Sequence, residues 1–227
     1  MKRIGILGTF VVLLSACTAA PQTEDEPVGD SEQDLSQPCG LFKVQGAIEQ
    51  KYFQLGGRNS FLGCPTTNET PTGAPTVGRF NHFQGGSIYW SPATGAWSVR
   101  GAIRDRWAAE GWERGSFGFP VGDEADTPER TGKLARFQNG IIYWSPASGA
   151  HRVHTGPGVN TVFAYWGSQF FYERGRLGYP IDELRQGSNA SFSIWCQDFQ
   201  GGSVHCGTFG CDYNIPFNCD RSKPIHR

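Results

Sequence analysis

One phrase constrains what this chain can fold into, because it is written more than once. Arg136-Phe137-Gln138-Asn139-Gly140-Ile141-Ile142-Tyr143-Trp144-Ser145-Pro146 repeats a phrase that stands 54 residues earlier, Phe83-Gln84-Gly85-Gly86-Ser87-Ile88-Tyr89-Trp90-Ser91-Pro92. A third copy, Phe199-Gln200-Gly201-Gly202-Ser203-Val204, follows 62 residues later. A repeat of this length is one supersecondary element that buries its apolar face only against its neighbours, so a site is expected on a face or groove that units share. The phrase itself predicts a strand running into a tight turn. Pro92 or Pro146 presets φ, Gly95 or Gly149 supplies a left-handed residue, and Trp97-Ser98-Val99 and His151-Arg152-Val153 return as the second strand of a hairpin.

Ahead of the repeats, Lys2 and Arg3 precede an apolar run from Ile4 to Leu14, followed by Leu14-Ser15-Ala16-Cys17. Eleven residues are too few to span a bilayer but suit the core of a cleaved export signal. Small residues just before a single cysteine are similar to a bacterial lipobox, which implies cleavage at residue 16, acylation (palmitate or a similar chain) of Cys17, and a bilayer as partner. Thr18, where a lipoprotein kept at the inner membrane more often has Asp, favours the outer membrane. Residues 17–38 carry Glu24, Asp25, Glu26, Asp30, Glu32 and Asp34 and no base, and they are expected to be a solvated tether. Residues 39–227 then hold 18 basic and 15 acidic residues, a formal +3 that gives no argument for nucleic acid as a partner.

Residues 39–227 are long enough for one repeat-built domain with a sizeable core. A chain with 31 glycines, 13% aromatics and a lone initiator Met fits short strands and turns better than a helical bundle. Each hairpin is preceded by a helix-like opening: Ile48, Tyr52 and Leu55 before Gly56, then Ile103, Trp107 and Ala108 before Gly111. The third opening reads Phe163, Gly167, Phe170 and Phe171, with Trp166 filling the space over Gly167. The fold class is therefore α+β: tandem repeats of a short helix plus a β-hairpin, in units of about 46–99, 100–153 and 154–206, with a Cys-rich cap at 207–227.

Between helix and hairpin stand Leu62-Gly63-Cys64-Pro65, Phe117-Gly118-Phe119-Pro120 and Leu177-Gly178-Tyr179-Pro180. With the acid and the Phe-Gln-x-Gly strand that follow, these phrases make the chain resemble the LGFP repeat family across about residues 46–205. The resemblance implies a cell-envelope protein, a propeller-like arrangement of units and a role in binding wall glycan. Three copies are too few to close a propeller of the usual blade count, so a partial array is expected. The third copy departs from the pattern, reading His205-Cys206-Gly207 where the others read Tyr-Trp-Ser-Pro.

Besides Cys17 there are six cysteines, an even number in an exported chain, and three disulfides are expected. Six thiols allow 15 pairings and the sequence does not choose among them. The expectation is Cys39 with Cys64, and Cys196, Cys206, Cys211 and Cys219 pairing among themselves as a staple on the last unit. A zinc site on those four, with His205 near, is the rival, although no Cys-x-x-Cys spacing supports it.

After each Gly-x-Pro come Thr67-Asn68-Glu69, Gly122-Asp123-Glu124 and Ile181-Asp182-Glu183. Facing carboxylates are the equipment of a glycosidase, but an acid recurring with the repeat period more often holds a turn or a joint, and a catalytic set is unsymmetrical. There is no Gly-x-Ser-x-Gly elbow, no His-x-x-x-His spacing and no phosphate-cradling glycine loop before a helix, so no cofactor or catalytic metal is indicated. The Tyr-Trp pairs alternate in facing, so one ring of each pair is expected in the core and the other outward, where a ring face suits sugar stacking. The alternative is that both rings lie between adjacent units, as apolar aromatics usually do. Tyr89, Trp90, Tyr143, Trp144, Glu69, Asp123, Glu124, Asp182 and Glu183 are thus the candidate ligand-binding set. The expected function is glycan binding without catalysis, with envelope polysaccharide or peptidoglycan as partner. A wall hydrolase or acyltransferase accessory and a protein-docking platform are the alternatives.

Overall fold

A computed structural model describes residues 39–129, 131–155, 160–189, 192–207 and 210–213. They belong to one compact unit, Pro38–Arg227. The export signal, Cys17, the tether and Cys219 lie outside the described residues.

The order helix, short 3-10 turn, four strands is run through three times. The first unit has α1 (Gly46–Gln54) and β1 (Thr70–Pro71), β2 (Arg79–Phe83), β3 (Gly86–Ser91) and β4 (Gly95–Val99). The second has α2 (Gly101–Ala109) and β5 (Ala125–Asp126), β6 (Lys133–Phe137), β7 (Gly140–Ser145) and β8 (Gly149–His154). The third has α3 (Asn160–Phe170) and β9 (Arg185–Asn189), β10 (Phe192–Phe199), β11 (Gly202–Gly207) and β12 (Gly210–Tyr213). Each set of four strands is its own antiparallel sheet in sequence order. The fold is α+β with repeats, and each expected hairpin is the last half of a larger sheet: two further strands precede it. The turns form as expected, with Ser91 paired to Gly95 and Ser145 to Gly149, both glycines at positive φ.

Two residues of each helix go to the core: Ile48 and Tyr52 in α1, Ile103 and Trp107 in α2, Val162 and Trp166 in α3. This corrects the reading of the third helix by one residue. Trp166 itself occupies the place of Tyr52 and Trp107, and Gly167 is small because the ring of Tyr172 lies where its Cβ would be. The 3-10 turns begin on a left-handed residue, Gly56, Gly111 and, in the third unit, Phe171 at φ 55°.

Helix α2 packs on β7 and β8 of its own sheet and also on β3 of the sheet before it, and α3 likewise bridges β11 and β8. The core is therefore shared across joints rather than enclosed in each unit. Tyr89, from β3, enters the second cluster with Trp107, Phe117 and Phe137, and Tyr143 enters the third with Trp166 and Phe199.

In the described residues of the third copy no helix packs on β11 from the far side, as α2 packs on β3 and α3 on β8, and the Tyr-Trp of the other copies is absent there. Where Tyr89 and Tyr143 stand, β11 has His205, paired across to Cys196. The staple is present: Cys206 bonds Cys211 directly across the β11 to β12 ladder, and Cys196 is also in a disulfide. Cys39 bonds Cys64, tying the entry segment to the first Gly-x-Pro. The bonded state of Cys196, Cys206 and Cys211 removes the zinc reading, since a metal needs their thiolates.

Candidate functional site

The repeated acids are joints. Asn68 accepts a hydrogen bond from the Lys43 N–H at 2.8 Å, and Asp123 accepts from the Ser98 N–H at 3.0 Å and its hydroxyl at 2.7 Å. Lys43 and Ser98 stand just ahead of α1 and α2, so these side chains pin each unit to the segment that enters it. Asp123 also pairs with Lys51 from α1. Burial pushes its carboxyl up, but the bonds from Lys51 and Ser98 prevail and hold it below the usual range.

In the third unit Glu183, not Asp182, fills this place. Glu183 pairs with Arg152 of β8 at 2.6 Å and Arg106 of α2 at 2.9 Å, and Glu110 binds the same two arginines. Arg152 is 1% exposed, so this quartet is an inter-unit lock whose charges are tolerable only because they are paired. Asp182 does what Thr67 does in the first unit: its carboxylate accepts from the Asp198 N–H at 2.9 Å, as the Thr67 hydroxyl accepts from His82 N–H at 3.0 Å. Leu184, buried, stands where Glu69 and Glu124 stand. Asp123, Asp182 and Glu183 are thereby withdrawn from the ligand-binding set. Their oxygens are committed to the frame.

Tyr89 and Tyr143 are withdrawn as well. They are 2% and 4% exposed, and their rings meet Trp107 at 4.6 Å and Trp166 at 5.2 Å edge-on. No ring face is left for a ligand. The alternation of a strand puts Trp90 and Trp144 on the opposite face, and both are half-buried.

Trp144 lines a cavity of about 310 Å³ whose wall is completed by Gly85 of the first sheet, Arg100, Gly101, Ala102 and Ile103 at the start of α2, Glu124 and Lys133. Lys133 is the residue directly across the ladder from Trp144. Glu124 accepts from Arg100 Nε at 3.2 Å. Burial raises its carboxyl above the usual value, with Arg100 pulling the other way. An aromatic face, a carboxylate and two cations thus converge on one opening between units. Sequence reasoning found Trp144 and Glu124 but not Arg100 or Lys133. Its missed signal was the base at Arg79 and Lys133, each set across from a Trp.

The same positions in the first unit are Gln45, Glu69, Arg79 and Trp90. Glu69 accepts from the Gln45 N–H and pairs with Arg79. In the third unit they are Leu184, Trp195 and Cys206, with Trp195 facing Cys206 across the ladder. Two units therefore carry the polar and aromatic set, and the third does not.

Among the described residues one nucleophile-like pair stands out. The Ser87 hydroxyl is 2.7 Å from His82 Nδ1, and Arg104 Nε donates to that hydroxyl at 2.6 Å. Ser87 is 0% exposed, and burial followed by the Arg104 charge lowers the pKa of His82. A base oriented by a cation instead of a carboxylate, against a sealed hydroxyl, lacks what nucleophilic catalysis requires.

The family model for the LGFP repeat matches residues 62–115 and 117–170. Such repeats are a cell-envelope type. No curated protein matches the chain.

Proposed function

Since the chain belongs to the LGFP repeat family over residues 62–115 and 117–170, we propose that it is a cell-envelope lipoprotein whose repeats bind an envelope polysaccharide without catalysis. The observation that carries this reading is the cavity that joins the half-buried Trp144 ring to Glu124, Arg100 and Lys133 between two units. Its volume of about 310 Å³ lies at the lower end of the ~300–1,000 Å³ of small-molecule sites, which suits one sugar ring rather than an oligosaccharide. The ring face supplies area, and the charged groups meet hydroxyls through charge-assisted hydrogen bonds.

A sugar exchanges water for protein, so each site is weak, roughly millimolar or about −4 kcal/mol. Useful affinity comes from the Trp90 and Trp144 positions engaging one polymer, and from many copies on one membrane. The consecutive four-stranded meanders support a propeller-like partial array. Among the described residues no helix is long and apolar enough to cross a membrane, and the lipobox-like Leu14-Ser15-Ala16-Cys17 supports attachment at Cys17, with the outer membrane favoured by Thr18.

The test is equilibrium binding of the full chain to immobilised wall and capsular polysaccharides. Retention on at least one polymer, competed by its free form, is expected. Retention on none, with capture only by an envelope protein, contradicts the reading in favour of a docking platform.

A further inference from the structure

Arg100 stands in the wall of the Trp144 cavity with its guanidinium laid over the Phe61 ring, 4.1 Å from the ring centre. Only its Nε is used by the frame, in the bond to Glu124, and among the described residues no acceptor takes a hydrogen from either Nη. The ring beneath fixes the guanidinium plane, so the outer edge of the fork is preorganised for a planar anion. Lys133 adds a second cation to the same wall. Its contact with Asp126 is at the exposed rim, while Glu124, the one carboxylate in the wall, is buried and already holds Arg100. The first residues of α2 also line the opening, and no side chain caps them. The balance of charge facing the cavity is positive.

Resting on the glycan reading, we propose that this cavity selects an acidic sugar: one pyranose ring stacked on Trp144, with a carboxylate or phosphate held by Arg100 and Lys133. The selectivity belongs to the second unit alone. At the first unit Gln45 replaces Arg100, and Arg79 is occupied by Glu69, so that position takes ring and hydroxyls without the anion. At the third, Leu184, Trp195 and Cys206 leave nothing to hold a charge.

The test titrates the full chain with glucose, glucuronate and glucose 6-phosphate, three probes that share one ring, followed by saturation-transfer NMR at low ionic strength. The two anions are expected to bind roughly tenfold more tightly than glucose, equivalent to about 1.4 kcal/mol. Whichever anion binds more tightly identifies the source of the charge. Arg100→Gln should abolish that preference, bringing both anions down to the affinity that glucose has for the same variant, whereas Trp90→Ala should keep the preference. Equal binding of all three sugars, lost in Trp144→Ala, overturns the acidic-sugar proposal and leaves the glycan site standing. Binding of none of them overturns both.

Discussion

Gln138 lies over Gly118: its side-chain oxygen accepts a 2.9 Å hydrogen bond from the Phe119 N–H and stands 2.5 Å from where a Cβ on Gly118 would be. Gln84 over Gly63 and Gln200 over Gly178 repeat the arrangement, with all three glycines at positive φ. The Gly of each Gly-x-Pro and the Gln of each Phe-Gln are therefore one device, written in two places.

That coupling sets the first expectation. Gly118→Ala should cost about 1–2 kcal/mol for the left-handed backbone plus a clash, and Gln138→Ala about 1–3 kcal/mol for the orphaned N–H. With Gln138 already truncated the 2.5 Å clash with its side-chain oxygen is gone and only its Cβ, at 3.2 Å, remains close, so the double variant should cost less than the sum. Urea unfolding of the four proteins measures this, and strict additivity would argue against a shared device.

Phe171 offers the opposite sign. It holds a left-handed backbone at φ 55° with its side chain 71% exposed, where the other units have Gly56 and Gly111. Phe171→Gly removes strain of about 1–2 kcal/mol against an entropic loss of about 0.5–1 kcal/mol. A small rise in melting temperature is expected. A fall would mean that the Phe171 side chain contributes packing that its exposure does not reveal.

Much of this was legible in the sequence. The three copies and the turns at Gly95 and Gly149 follow from local chemistry that a repeat states more than once. The Cys39 to Cys64 bridge, by contrast, was one expectation among several possible pairings, and which ring of each Tyr-Trp pair goes inward had to be read from the packing. The third unit was misread at Trp166 and at Glu183, each by one residue. The causes differ. The third unit is one residue longer between its helix and Gly-x-Pro, Trp166 to Leu177 against Trp107 to Phe117, whereas Glu183 stands three residues after Pro180 just as Asp123 follows Pro120 and was matched to the wrong member of the acid pair. Arg100 and Lys133 were hidden for another reason. They come together with Trp144 only when the start of α2, a second sheet and a loop meet, and no spacing along the chain announces that meeting.

Acid should loosen the joint between the second and third units. Burial first, then the Arg152 charge, lowers the His154 pKa from its ordinary value to about 4, with Glu183 opposing. The unfolded chain binds that proton near pH 6.5, so stability present above this value is lost as the pH falls from about 6.5 toward 4. His154→Gln should flatten the curve of unfolding midpoint against pH in that window. An unchanged slope would assign the effect to other groups, His82 among them.

The anchor is tested by Cys17→Ala in the full chain expressed in a bacterium fed a labelled fatty acid. Label should disappear, and the protein should leave the detergent phase or remain uncleaved. Label retained by the variant would remove the lipoprotein reading.

The most direct test of the central claim is polysaccharide binding by the full chain beside Trp144→Ala and Tyr89→Ala, each with its melting curve. Trp144→Ala should lose polymer binding several-fold while the fold survives. Tyr89→Ala should lose stability instead, about 3–5 kcal/mol for a large aromatic deleted from a packed core. If Trp144→Ala binds every polymer as the unaltered chain does, the cavity between the units is not where the glycan sits, and the account is wrong.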